Sequence, residues 1–273
     1  MITLYSTFKR FTHPRFAKVQ TDALLSWQKL DPKPEIIIIG NDPGTAQACR
    51  QNGFIHIPEV ECSETGTPVC IDFIRQAEKR ASNDIMLLCS GDIFITQDTI
   101  EAAKAISKQM DEFCVVPRKK FVDIENGVPV RDVICGTGTP WATWQGGDYY
   151  LHSKGIFEGM PNFLVGRHYV ERWMYRWLCN KNALIDGTLA ITCLHQKHPH
   201  EMRTRNNEVQ YNYDLYQENM FDVEKWKDHE FYKRSPDGKL INIGINHANY
   251  VMQPDFTLID NDDPHKRNWA APR

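Results

Sequence analysis

The chain has 273 residues, 41% of them hydrophobic, and a formal net charge of −3. This length suits one large α/β domain or a nucleotide-binding half fused to a smaller acceptor half, and the apolar fraction is sufficient for a sizeable core. The nearly balanced charge gives no electrostatic reason to expect a nucleic-acid partner.

The eight cysteines include no Cys-x-x-Cys pair, which argues against a zinc cluster or a thioredoxin-like motif. No Asn-x-Ser/Thr glycosylation site occurs, the N-terminus lacks the apolar stretch of a signal peptide, and no apolar run has the length of a transmembrane segment. We therefore expect a cytoplasmic protein. Peripheral membrane association through a partner stays open.

Strands and helices alternate over the first third of the chain. Strands are predicted at Ile2–Thr7, Glu35–Ile39, Phe54–Ile57 and Asp84–Cys89. Helices are predicted at Phe16–Leu30, Thr45–Asn52, from Thr67 onward and at Gln97–Met110. Continuously apolar strands that alternate with helices indicate a mostly parallel sheet covered on both faces. Ligands of such sheets bind beyond the carboxyl ends of the strands, so the candidate site residues are sought there.

The second half has a different pattern. Strands are predicted within Val115–Pro129 and at Asp148–His152, a helix at Gly166–Asn180, and a turn plus strand at Ala183–Leu194. Residues 196–215 are polar and predicted to form a loop, and the tail from Asp222 is predicted to be irregular.

One predicted strand, Asp84–Cys89, runs directly into Ser90-Gly91-Asp92 and places a carboxylate at its carboxyl end. A divalent cation that bridges two phosphates needs few protein ligands, because phosphate oxygens and water fill the other positions. Asp92 can therefore suffice as a metal ligand. The alternative is a simple turn in which Asp92 caps the helix that begins near Gln97, and the spacing alone favours neither.

Polar residues also follow the other predicted strands. The loop Thr7–Arg10 offers backbone groups and the cation Lys9 to a diphosphate, or is a basic surface loop. Asn41 and Asp42 suit recognition of a nucleoside, or form an ordinary Asn-Asp-Pro-Gly turn. Thr67 is predicted to cap a helix whose N-terminus faces the same crevice, an arrangement that favours phosphate.

Aromatic residues are concentrated in the second half. Trp141 and Trp144 lie in a Gly-rich stretch and, with Tyr149, suit the apolar face of an acceptor sugar. Trp173 and Trp177 are one helical turn apart, a spacing more typical of core packing.

Several stretches resemble GT-A type nucleotide-sugar glycosyltransferases, in consistent order over roughly residues 1–200. These stretches are Thr7–Phe11, Ile39–Gly44, Gly66–Pro68, Leu88–Ile93, Gly147–Tyr150, Gly166–Arg167 with Glu171–Trp173, and Leu194–His198. The resemblance implies a GT-A (Rossmann-like) sheet flanked by helices, with a donor-binding half at residues 1–115, an acceptor-binding half at 116–205 and a C-terminal extension at 206–273.

The resemblance also implies roles for individual residues. Ser90–Asp92 would correspond to the DxD element that holds Mn²⁺ or Mg²⁺ and the donor diphosphate. Ser90 replaces the first acid, so only Asp92 is a strong ligand, and Ser90 would bind ribose or phosphate. A histidine after the last core strand, His195 or His198, would be a further metal ligand.

Glu171, at the start of a predicted helix, would be the general base that deprotonates the acceptor, with Asp148 the second candidate. Without the resemblance, an acid at this place is equally well explained by the helix dipole.

The sequence therefore predicts a metal-assisted, inverting hexosyl- or pentosyltransferase that uses a UDP- or GDP-sugar and the hydroxyl of a glycan or another acceptor. One alternative is a non-catalytic nucleotide- or carbohydrate-binding protein with the same fold, which the loss of the first DxD acid would explain. A sugar-1-phosphate nucleotidyltransferase is less favoured, because residues 7–14 contain no glycine for a phosphate loop.

Overall fold

The computed structural model describes residues 1–125, 128–129, 148–196, 206–220, 232–234, 240–242 and 248–261. In chain order the elements are β1 (Ile2–Ser6), α1 (Pro14–Trp27), β2 (Glu35–Ile39), α2 (Thr45–Asn52), β3 (Ile55–Ile57), α3 (Cys70–Arg80), β4 (Ile85–Cys89), β5 (Ile93–Ile95), α4 (Asp98–Ile106), β6 (Cys114–Val116), β7 (Lys119–Val122), β8 (Ile124–Glu125), β9 (Val128–Pro129), β10 (Tyr149–Ser153), α5 (Val170–Asn180), β11 (Leu184–Asp186), β12 (Cys193–Gln196), α6 (Asn206–Glu218), β13 (Tyr232–Arg234), β14 (Leu240–Asn242), β15 (Tyr250–Met252) and β16 (Leu258–Asp260). None of the helices described is long and apolar enough for a transmembrane span.

A nine-stranded sheet forms the centre, in the order β16-β15-β11-β6-β10-β4-β1-β2-β3. The pairings make seven of these strands parallel, whereas β10 and β16 run antiparallel to their neighbours. The predicted mostly parallel α/β sheet is therefore confirmed.

Both faces of the sheet are buried, as the continuously apolar strands predict. Successive side chains of a strand point to opposite faces, and β2 shows this directly. Ile37 and Ile39 belong to the core cluster that contains residues of α3 and α5. Ile36 and Ile38 belong to a second cluster, with residues of α1 and α4. Helices thus cover each face.

A smaller, three-stranded sheet adjoins the carboxyl ends of the large sheet. Its central strand β12 pairs antiparallel with β5 and parallel with β7, so that His195 lies opposite both Ile93 and Phe121. Because β5 follows β4 after three residues, this sheet brings His195 back to the segment that follows β4.

Two elements differ from the prediction. The third helix, α3, begins at Cys70 and not at Thr67, because Pro68 is held in a bridge with Cys62 and Val69 in a bridge with Leu164. Residues 206–218 form the helix α6 where a loop was predicted. The extension predicted at 206–273 also supplies β15 and β16 to the large sheet.

Candidate active site

Asp92 and His195 form the pair on which the site is centred. Asp92 lies just before β5, and its backbone oxygen accepts a hydrogen bond of 3.1 Å from the amide of Gln196. The Nε2 of His195 is 3.5 Å from Asp92 Oδ2. The imidazole is buried between strands, with its ring centroid 4.9 Å from that of Phe121. The histidine is therefore held in place against the carboxylate.

A hydrogen bond to the backbone determines the tautomer of His195, that is, which ring nitrogen carries the proton. Nδ1 lies 2.8 Å from the carbonyl oxygen of Gln196, which can only accept, so Nδ1 carries a proton. In the neutral imidazole, Nε2 then directs its lone pair toward the carboxylate. Histidines that bind metals are commonly oriented by such a hydrogen bond from their other ring nitrogen to a backbone carbonyl.

The donor atoms of this pair fit a divalent cation. Carboxylate oxygen and imidazole nitrogen both bind Mn²⁺-like ions, and Mg²⁺ prefers a carboxylate with phosphate oxygens. Among the residues the structure describes, no group of three or more His, Cys, Asp and Glu side chains could hold a metal. The described residues would thus offer a cation two ligands, with further positions open to water and to phosphate oxygens.

A buried lysine lies beside this pair. Lys119, the first residue of β7, forms an ion pair with the Asp148 carboxylate. The Ser90 hydroxyl donates a 3.3 Å hydrogen bond to the same carboxylate, and the amide of Ser90 donates to the Asp148 carbonyl at 2.9 Å. Burial lowers the pKa of the Lys119 ammonium, and the negative charge of Asp92 opposes that effect.

Lys119 was not predicted as a site residue. The available signal was the run Arg118-Lys119-Lys120, which follows the apolar residues 113–116 after a single proline, Pro117. A basic run at a strand end usually indicates a solvated surface, so the sequence alone gave no reason to bury this ammonium.

The ends of β1, β2 and β4 meet beside Asp92. A Cβ on Gly40 would lie 3.2 Å from Thr7 Oγ1, and Gly40 has a φ of +102°. A Cβ on Gly91 would lie 2.8 Å from the Phe8 ring and 3.4 Å from the Thr7 carbonyl oxygen. These close approaches require glycine. Thr7, Gly40 and the Asp92 loop therefore lie at one edge of the sheet.

The remaining donor candidates lie at the periphery of this edge. Asn41 is exposed. Loss of hydration raises the pKa of Asp42, against the positive charge of Arg10. The amide of Lys9 donates to Gln20 Oε1 at 2.6 Å, while its ammonium lies 4.9 Å from the centroid of the Phe16 ring. The Lys9 side chain is thus directed onto α1.

Glu171 lies in the first turn of α5 and is half-buried. Its charge raises the pKa values of the buried Tyr150 and Tyr175 hydroxyls, after burial as the larger cause. It also acts on Lys119, whose protonated form it favours. The charge of Glu171 therefore acts on the buried Tyr150, Tyr175 and Lys119 side chains.

Two predicted contacts are corrected by the structure. Tyr149 is 2% exposed and its hydroxyl donates to Thr99 Oγ1 at 3.1 Å. A side chain enclosed in this way is unable to stack on an acceptor. Thr67 is buried, and its hydroxyl is hydrogen-bonded to Glu208 and Arg167, so it neither caps α3 nor faces a donor.

Three predicted residues, Trp141, Trp144 and His198, lie outside the described residues. The packing interpretation of Trp173 and Trp177 agrees with the structure, because their rings stack at 5.0 Å and both residues are part of, or packed against, the core cluster that contains α3 and α5.

No protein-family model matches the chain, and no curated protein sequence matches it. Solved structures do. The S. aureus TarS fragment 1-349 in complex with UDP-GlcNAc aligns with a TM-score of 0.54 and 14% identity, over 84% of this chain and 69% of that one. The mannosyltransferase PcManGT from Pyrobaculum calidifontis, in complex with GDP-Man and Mn2+, aligns with a TM-score of 0.50 and 9% identity, over 81% and 65%. A mycobacterial protein aligns with a TM-score of 0.50 and 10% identity, over 88% and 81%.

These likenesses show the fold. The chain has the GT-A-like fold of nucleotide-sugar transferases, as the sequence resemblance implied.

Proposed function

We propose that this protein transfers a sugar from a UDP- or GDP-sugar to a hydroxyl group of a glycan or another acceptor, with inversion at the anomeric carbon. The observation that carries the proposal is the Asp92–His195 pair, 3.5 Å apart at the edge where β1, β2 and β4 end. The fold supports it as well, because the similar TarS and PcManGT structures contain UDP-GlcNAc and GDP-Man.

Asp92 and His195 would hold Mn²⁺ or Mg²⁺ together with the donor diphosphate. A cation bound there would neutralise the charge that develops on the leaving group. Thr7, Asn41, Asp42 and Ser90 border the same edge and would bind the nucleoside and phosphates. For Lys9 the same role requires its ammonium to leave the Phe16 ring.

Glu171 is the general base of the proposed mechanism. The acceptor oxygen forms a bond to C1 of the donor sugar, its proton moves to the Glu171 carboxylate, and the C1–oxygen bond breaks with its electron pair leaving on the nucleoside diphosphate. Asp148 is the second candidate, and its carboxylate would have to give up its contacts with Lys119 and Ser90. Trp141 and Trp144 remain the proposed acceptor contacts.

Substitution of Asp92 tests this proposal. Incubation with labelled nucleotide sugars should release nucleoside diphosphate from the wild-type protein. Asp92→Asn preserves size but removes the charge that would hold the cation, and should lower turnover at least about 100-fold. The matched control is Asp111→Asn, at an exposed position, which should keep wild-type turnover. A fully active Asp92→Asn protein would remove this carboxylate from the mechanism.

A non-catalytic binding protein is the second candidate, favoured by Ser90 at the place of the first DxD acid. Titration calorimetry with UDP and GDP, with and without Mn²⁺, distinguishes the two. A transferase binds nucleotide and releases diphosphate from a donor sugar, whereas a binding protein binds nucleotide without any release.

A further inference from the structure

One face of α6 is buried although two of its three residues are polar. Glu208, Asn212 and Tyr216 are spaced four residues apart and therefore lie on the same side of the helix. Their exposures are 6%, 0% and 1%. Burial of a carboxylate and an amide is costly unless both are fully hydrogen-bonded, so their partners indicate what this face does.

Glu208 accepts hydrogen bonds from two separate segments. The hydroxyls of Ser63 and Thr67 donate to it at 2.8 and 3.1 Å, and the Thr65 hydroxyl donates as well. The Nε of Arg167 donates at 2.6 Å, while another nitrogen of the same guanidinium donates to Thr67 Oγ1 at 2.9 Å. Burial raises the pKa of Glu208, but these hydrogen bonds outweigh it and lower the pKa to about 2.

Asn212 binds the backbone that leads into α5. Its Oδ1 accepts from the amide of Leu164 at 2.9 Å, and its Nδ2 donates to the carbonyls of Leu164 and His168 at 3.1 and 3.2 Å. One side chain thereby binds backbone groups at both ends of the turn 164–168.

Tyr216, the third buried residue of α6, contacts Tyr169, which directly precedes α5. Its ring centroid is 5.7 Å from that of Tyr169. Tyr169 has a φ of +80°, a conformation that residues with a side chain rarely adopt and that the surroundings must stabilise. The candidate base Glu171 follows two residues later.

We propose that α6 acts as a clasp that positions Glu171, with Glu208 and Asn212 as positioning residues. This rests on the proposed function, in which Glu171 is the base. The clasp contacts residues 63–67 and 164–169, whereas the Asp92–His195 pair is held by β5 and β12. Loosening it should therefore misplace the base and leave the donor site intact.

Glu208→Gln tests the clasp. The amide keeps the volume but replaces one of the two accepting oxygens with an N–H₂ group and removes the charge, so the donors at that oxygen lose their acceptor. We expect kcat to fall about 10-fold, the KM for the donor sugar to stay within twofold, and amide hydrogen exchange over residues 164–174 to accelerate. Glu218→Gln, at an exposed position of the same helix, is the matched control and should match the wild type in all three.

Arg167→Lys provides a second variant that keeps the positive charge but loses the two-nitrogen contact. Like Glu208→Gln, it should lower kcat while the KM for the donor sugar stays within twofold. If the wild-type protein is active, either of two results would refute the proposed role of the clasp. One is an unchanged kcat in Glu208→Gln, and the other is a loss of donor affinity that parallels the fall in kcat. A wild-type protein that releases no nucleoside diphosphate would instead refute the proposed function and, with it, the role of the clasp.

Discussion

Glu208 should stabilise the fold in a pH-dependent way. Its carboxylate accepts hydrogen bonds from three hydroxyls and the Arg167 guanidinium, which together lower its pKa from 4.5 to about 2 despite the opposing effect of burial. Replacement by Gln removes the charge while the side chain keeps its size. The free-energy difference between the two proteins therefore measures what these hydrogen bonds contribute to folding.

The magnitude follows from linkage between proton binding and folding. A shift from 4.5 to about 2 corresponds to roughly 3 kcal/mol. The cluster is partly open to solvent, since Thr65 is exposed and the Arg167 side chain is 21% exposed, so we reduce the expectation to about 2 kcal/mol. Because the pKa is lower in the folded protein, this stability is fully present above pH 4.5 and is lost as the pH falls toward 2.

Urea unfolding of wild type, Glu208→Gln and Glu218→Gln at pH 7, 4 and 3 provides the assay. The gap between wild type and Glu208→Gln should be about 2 kcal/mol at pH 7 and should narrow progressively at pH 4 and pH 3. Glu218→Gln should stay within about 0.5 kcal/mol of wild type. A Glu208→Gln gap that is equally large at pH 7 and pH 3 would refute the assignment of the stabilisation to an ionised carboxylate.

Two further pairs of substitutions test contacts near the edge of the sheet. Lys119→Met leaves the Asp148 carboxylate without its ammonium and should lower the free energy of unfolding in urea by about 2–3 kcal/mol. The double variant Lys119→Met with Asp148→Asn should regain more than half of that loss. If the effects of the two single variants were strictly additive, the ion pair would be contradicted. Gly44→Ala would place a Cβ 2.6 Å from that of Phe11 at a φ of +94°, whereas Gly53→Ala has a φ of +68° and open space. Thermal unfolding should show about 1 kcal/mol lost at Gly53 and at least twice that at Gly44, and equal losses would argue against the close contact.

The architecture of the large sheet was accessible from the sequence because its signals are local. Glu35–Ile39 is almost entirely apolar, which indicates a strand buried on both faces, and the structure buries Ile36 and Ile37 on opposite sides. The polar segments that follow the strand ends were also predicted from the sequence. Each of these predictions required only neighbouring residues and the periodicity of a strand.

The helix α6 escaped prediction because its buried face is not apolar. Hydrophobic periodicity is the signal that identifies an amphipathic helix, and here Glu208 and Asn212 occupy two of the three buried positions. Their partners lie 41 to 145 residues away in the sequence. For Tyr149, the sequence did not reveal which way the side chain points. A tyrosine suits a sugar contact, but the strand register that pairs Tyr149 with Cys89 directs its hydroxyl to Thr99.

The ion pair of Lys119 with Asp148 depends on the direction of a single strand. β10 lies between β4 and β6 and runs antiparallel to both, so its first residue, Tyr149, pairs with Cys89 at the carboxyl end of β4. Asp148 therefore reaches the edge where β4 continues into Ser90, and where β6 continues toward Lys119. A parallel β10 would have brought Ser153 to this edge instead. The reversed strand thus brings the Asp148 carboxylate to the Lys119 ammonium, although no sequence motif links the two residues.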